Sequence, residues 1–266
     1  MKRINCLLPY GCIASFLLAA SNAQSQIVPA SGETVVFQET FADNSNGWSN
    51  MGTTNSSASI AGGVLTAYNP GTGDAVNSSM TFGTGLNLDD GDISIYFTAS
   101  IQDRYSQNRF GVNLTDSAGA QAGFTIHPGS LGNGYFTYTN VSGDNANQWR
   151  DDIAPTYVTS NGMLDYKLTI SANGQDEGGT DIYSATFLMK GYDDGTSNDY
   201  GIVYTMPADM YFESGVVDAL NLYIRNTSTP IKFDEVVVTQ IPEPGAAALL
   251  LGVAGLSLAA VRRRRA

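Results

Sequence analysis

The chain has 266 residues, with 25 Asp and Glu against 13 Lys and Arg, a single His, two Cys and a net charge of −12. So acidic a balance argues against a nucleic-acid partner, which needs a cationic surface to displace phosphate counterions. One histidine rules out zinc sites built on a His pair.

At the N-terminus Lys2 and Arg3 precede an apolar run, Ile13 to Ala20, and Ser21-Asn22-Ala23 puts small residues at the two positions that a signal peptidase reads. The pattern predicts a signal helix over residues 1–23, cleaved after Ala23. The rival reading, a retained anchor, needs a longer apolar core than one interrupted by Pro9 and Gly11. Cys6 and Cys12 both fall inside this segment, so the exported chain would carry no thiol and no disulfide. Removing the terminal bases and Glu243 leaves 24 acids against 7 bases, many of the acids in loops such as Asp89-Asp90-Gly91-Asp92. Solubility accounts for these, and so does calcium, whose ligands are oxygens.

Residues 27–240 read as one domain without linker or repeat. Its pattern has period two: Ile93, Ile95, Phe97, Ala99 and Ile101 alternate with Asp92, Ser94, Tyr96, Thr98 and Ser100. Similar strands follow at Phe110-Val112-Leu114, Phe124-Ile126, Phe136-Tyr138, Tyr166-Leu168-Ile170, Tyr183-Ala185-Phe187-Met189 and Leu220-Leu222-Ile224. Clusters at Ser130 to Gly134, Asn173-Gly174 and Asp193 to Asn198 are predicted turns. Many antiparallel strands with one apolar side each predict an all-β, two-sheet jelly-roll β-sandwich.

Phe37-Gln38-Glu39-Thr40-Phe41, with Trp48 after it, and Ile231 to Thr239 resemble the first and last strands of concanavalin-like and carbohydrate-binding jelly rolls. Gln148-Trp149-Arg150 and Tyr166 to Ile170 are similar to laminin-G-like domains. The resemblance implies that first and last strands lie side by side. Alternation puts Glu39 on one face with Val35, Phe37 and Phe41, where an unpaired carboxylate would cost several kcal/mol. The resemblance implies a structural calcium held by Glu39 and Asp234, with Asp43 adding an oxygen; otherwise Glu39 lies beyond the sheet edge or pairs with Lys232 or Arg225.

Sugar binding calls for aromatic rings beside amide, carboxyl or guanidinium groups. Trp149, with Asn147 and Arg150 in a stretch of little alternation, is the first candidate, and Tyr105, beside Arg104 and Arg109, the second; Trp48 is assigned to the core. Concanavalin-like glycosidases carry an acid ladder such as Glu-x-Asp-x-x-Glu, and none occurs here. His127 is expected to end a strand before Pro128-Gly129.

The tail joins Pro242-Glu243-Pro244, a charge-free run from Gly245 to Val261, and Arg262, Arg263, Arg264 and Arg265. The run makes a helix of roughly 25 Å, enough for a thin bilayer, with the arginines held on the cytoplasmic side. This order over residues 242–266 resembles the PEP-CTERM sorting signal, which implies a C-terminal transmembrane sorting helix, processing by an exosortase, and a mature domain at the cell surface or in the extracellular matrix. The leading expectation is non-catalytic binding of an extracellular polysaccharide. The alternatives are a structural or adhesive envelope protein without a small ligand, and a glycan-active hydrolase or lyase.

Overall fold

The computed structural model describes residues 26–49, 57–68, 76–100, 109–119, 121–127, 134–139, 147–150, 163–190, 199–205, 211–212, 214–225 and 230–242. In chain order the strands are β1 (Thr34–Glu39), β2 (Ser57–Ala61), β3 (Val64–Tyr68), β4 (Val76–Asn87), β5 (Gly91–Ser100), β6 (Arg109–Asp116) and β7 (Gln121–His127). They continue as β8 (Gly134–Thr139), β9 (Asn147–Arg150), β10 (Leu164–Gln175), β11 (Asp181–Lys190), β12 (Tyr200–Thr205), β13 (Val216–Arg225) and β14 (Ile231–Pro242). Sheet A has the order β12-β11-β10-β5-β14-β3-β2, and sheet B the order β4-β13-β6-β7-β8-β9. The expected all-β, two-sheet sandwich of jelly-roll type is what forms.

The first and last strands are neighbours: β1 pairs antiparallel with Val236 to Gln240, while β3 takes Ile231 to Phe233 on the same edge of β14. The last two strands close the two sheets from within. β13 lies between β4 and β6, and β14 between β5 and the β1/β3 edge. Neither sheet is complete until the C-terminal strands arrive, a non-local order that makes folding slow.

Alternation locates the core. Ile93, Ile95, Phe97 and Ala99 of β5, Phe110, Val112 and Leu114 of β6, and Leu220, Leu222 and Ile224 of β13 are all fully buried. Tyr166 of β10 lies at the centre, stacked on Phe97 at 5.1 Å and on Phe187 at 5.8 Å, and meeting the edge of Phe110 at 5.7 Å. Burial pushes its phenol well above the ordinary tyrosine range. Ser78, opposite Leu222, costs stability: its hydroxyl is buried and has no hydrogen-bond partner among the described residues.

One local expectation needs correction. Asn173-Gly174 is not a turn but the end of β10, where the register shifts between Ala172 and Gln175 and Gly174 adopts φ +88°. The reversal comes afterwards, with Asp176 Oδ1 accepting from Gly178 N and Thr180 N. The polar face of β5 is covered too: Ser94, Tyr96, Thr98 and Ser100 are buried as well. Residues 26–33 lie over its neighbours: Ile27 packs with Tyr96 and Val237, Ile27 N donates to Glu235 Oε2 at 2.6 Å, and Ala30 N donates to the Tyr96 hydroxyl.

Glu33 ties this segment down. Its carboxylate receives Lys167 Nζ at 2.8 Å and Thr239 Oγ1 at 2.8 Å, and Lys167 also sits 4.7 Å from the Tyr96 ring centre. Burial pushes Glu33 up, but hydrogen bonds from Lys167, Tyr96 and Thr239 outweigh it and hold the group below its ordinary 4.5. Its stabilisation is therefore complete above pH 4.5 and is lost as pH falls through the lower folded value. Burial likewise lowers Lys167, and the bonds to Glu33 and Tyr96 more than restore it, so that contribution is lost only at pH above 10.5. Acidification below pH 4.5 is expected to free residues 26–33 before the sheets open. Hydrogen exchange at the amides of Ile27 and Ala30 checks this; protection unchanged to the acid unfolding point would contradict it.

Of the predicted tail, Pro242 is the last residue of β14, opposite Gly91. Glu243, Pro244 and Arg262 to Arg265 lie outside the described residues, as do residues 1–23. Among the described residues no helix is long and apolar enough to cross a membrane.

Candidate functional site

The outer face of sheet B follows from its core face. Phe110, Val112 and Leu114 fill the core, so Gly111, Asn113 and Thr115 occupy the opposite side of β6. Strand register extends that side into rows. One row of paired Cα positions crosses all six strands: Asn77, Tyr223, Gly111, Thr125, Thr137 and Asn147. A parallel row holds Ser79, Asn221, Asn113, Gly123 and Thr139. In a third, Arg225 pairs with Arg109, and His127 pairs with Tyr135, which pairs with Trp149. None of these positions carries Asp or Glu, although the chain has 25 of them.

The middle of this face is a shielded floor. Asn113 and Asn221 are only 4% and 7% exposed, although they point away from the core. Asn221 Nδ2 donates to Thr115 Oγ1 at 2.6 Å. Gly123 completes the floor: a Cβ there would come within 2.3 Å of the Val112 carbonyl oxygen and 2.5 Å of Asn113 Oδ1, so only glycine fits beside that amide.

The residues singled out in the sequence fall at one edge of this face, and none of them lies at its centre. Asn147, Trp149 and Arg150 lie on β9, an edge strand opposite Thr137, Tyr135 and Gly134, where little alternation was seen. Asn147 and Trp149 share the outer-face register, and Arg150 falls on the other parity at the strand's end. Tyr105 lies outside the described residues. His127 does end β7. Asn113 and Asn221 carried a readable signal: each is a poor strand former set between apolar residues of a central strand, on the side away from the core.

The acids proposed for calcium are used differently. Glu39 is buried, and its Oε1 accepts from Phe41 N while Oε2 accepts from Asn46 Nδ2 at 2.8 Å and the Trp48 indole at 2.7 Å. Trp48 is buried with its ring 5.6 Å from Phe41, which adopts φ 51° to bring its N–H round. Three N–H donors thus meet this carboxylate. Asp43 sits in an exposed turn, held below its ordinary 3.8 by the hydroxyl and backbone N–H of Ser45. Asp234 occupies a bulge between Phe233 and Glu235 and lines a small hollow with Gln26, Gln38 and Thr40. Among the described residues no group of three or more His, Cys, Asp or Glu is placed to hold a metal ion.

A second concavity of about 610 Å³ lies between β1 and β4, lined by Val36, Phe37, Asn46, Thr81, Phe82 and Gln240 among others. Phe37 and Phe82 pack edge to face at 5.9 Å, closing the open side of the sandwich.

No family profile matches the chain, and neither does any curated protein sequence. Solved structures do resemble it. The CBM2 module of the evolved Dit of Lactobacillus casei BL23 phage J-1 superposes with a TM-score of 0.51 at 16% identity, covering 79% of this chain and 96% of that one. A legume lectin-like domain from Entamoeba histolytica gives 0.45 at 11% identity over 68% and 85% of the two chains. A Bacillus licheniformis β-glucanase gives 0.43 at 13% identity over 79% and 99%. The first of these establishes a shared fold, and the other two are too distant to build on.

Proposed function

We propose that the protein is an exported, non-catalytic polysaccharide-binding domain whose ligand lies along the outer face of sheet B. One observation carries this reading: six strands align Asn, Thr, Ser and Tyr positions in continuous acid-free rows. Sugar hydroxyls need such neutral donors and acceptors, and rings at Tyr135 and Trp149 positions suit a pyranose face. A glycosidase needs two carboxylates across the scissile bond, and these rows offer none, which supports binding without hydrolysis. The terminal segments support export through signal peptidase and sorting by an exosortase, with the mature domain in the extracellular matrix.

Trp149→Ala tests the reading because β9 is an edge strand and its loss should leave the sandwich intact. Retention of the full-length protein, in detergent, on exopolysaccharide from its own producer cells is expected to weaken roughly tenfold, the worth of one aromatic contact. The melting temperature should stay unchanged. Full retention by a Trp149→Ala/Asn147→Ala variant would contradict the proposal and favour a structural role without a saccharide ligand.

A further inference from the structure

The basic residues of the exported body are not scattered. Its three lysines, Lys167, Lys190 and Lys232, all belong to sheet A. Lys167 and Lys190 are spent on ion pairs with Glu33 and Asp165, at 2.8 and 3.1 Å. The arginines go elsewhere. Arg109 opens β6 and Arg225 ends β13, both in the outer-face register, and antiparallel order brings them to the same end of sheet B as Arg150, which ends β9 on the other parity. The fourth, Arg104, lies outside the described residues.

Arg109 and Arg225 are direct cross-strand partners. This register sets two arginines opposite each other on neighbouring strands, which concentrates positive charge at that position of the sheet. The pairing of Phe110 with Ile126 carries His127 alongside Arg109, and Tyr135 and Trp149 continue the row. Arginine rather than lysine is the residue whose planar fork matches a carboxylate or sulfate oxygen pair.

We propose that this end of sheet B recognises anionic sugar residues, so that the ligand is an acidic polysaccharide bearing uronate carboxylates or sulfate esters. The inference rests on the reading of sheet B as the glycan face and adds the charge of the ligand. It also explains how a strongly acidic protein holds a polyanion: attraction is local, at one sheet end, against a repulsive whole.

The test compares three probes on the full-length protein: alginate as a polyuronate, dextran sulfate, and unmodified dextran. Wild type is expected to bind alginate or dextran sulfate at least tenfold more tightly than dextran, with affinity falling as salt rises. The arm that binds tells carboxylate from sulfate. Arg109→Gln/Arg225→Gln should lose that preference while its melting temperature holds. Should that variant fold poorly, Arg109→Lys/Arg225→Lys keeps the charge and should retain the salt dependence with weaker binding. Equal binding of acidic and neutral probes, or a preference untouched by the Gln pair, overturns the inference and leaves the glycan face standing. Binding to no polysaccharide, including the native exopolysaccharide, overturns both.

Discussion

Phe110→Ala is expected to lower the unfolding free energy by about 3–5 kcal/mol. Phe110 belongs to sheet B, yet its fully buried ring meets Tyr166 at 5.7 Å and Phe233 at 6.3 Å, both on sheet A. It is therefore one of the rings that hold the two sheets face to face. Truncation removes the transfer free energy of the ring and leaves a cavity that rigid strands on both sides cannot collapse around. Domains are commonly stable by only about 5–15 kcal/mol, so the variant would sit near the limit of folding. Urea unfolding followed by circular dichroism measures the loss. A value below about 1 kcal/mol would show that the sheets are held elsewhere.

Glu39→Gln should be almost as damaging, at about 2–4 kcal/mol, for a different reason. The wild-type carboxylate offers only acceptors, and Phe41 N, Asn46 Nδ2 and Trp48 Nε1 all donate to it. Glutamine has nearly the same shape but turns one acceptor into an NH₂ group, which then faces a donor in a buried site. One N–H is left without a partner, and the charge that strengthened the others is gone. Because those donors balance the carboxylate, the loss on thermal melting is expected to be the same in excess calcium and in excess chelator. Calcium that stabilised wild type but not the variant would put an ion at Glu39 after all.

What could be read in advance divides by distance along the chain. Period-two alternation is local, so the core faces of β5, β6, β10, β11 and β13 were legible from residues such as Ile93-Ile95-Phe97 and Phe110-Val112-Leu114. The burial of Glu39 and Trp48 was legible too, but not their hydrogen bond, because Phe41 bends the chain back through a conformation that alternation does not encode. Register is set by pairings between distant segments. Asn77, Gly111 and Tyr223 have no local pattern in common, and only the order of sheet B puts them in one row with Asn147. The same holds for Glu33 and Lys167, which meet across 134 residues to fasten the N-terminal segment. Thus Trp149 could be picked out by its chemistry, whereas the amide floor of Asn113 and Asn221 needed the fold.

Hydrogen–deuterium exchange of the full-length protein with and without saturating native exopolysaccharide tests the central claim most directly. Binding along the outer face of sheet B predicts slowed exchange in β6, β7, β8, β9 and β13, with β1, β10 and β11 unchanged. Protection confined to β1 and β4, around the groove beside Phe37 and Phe82, or to the outer face of sheet A, would contradict it.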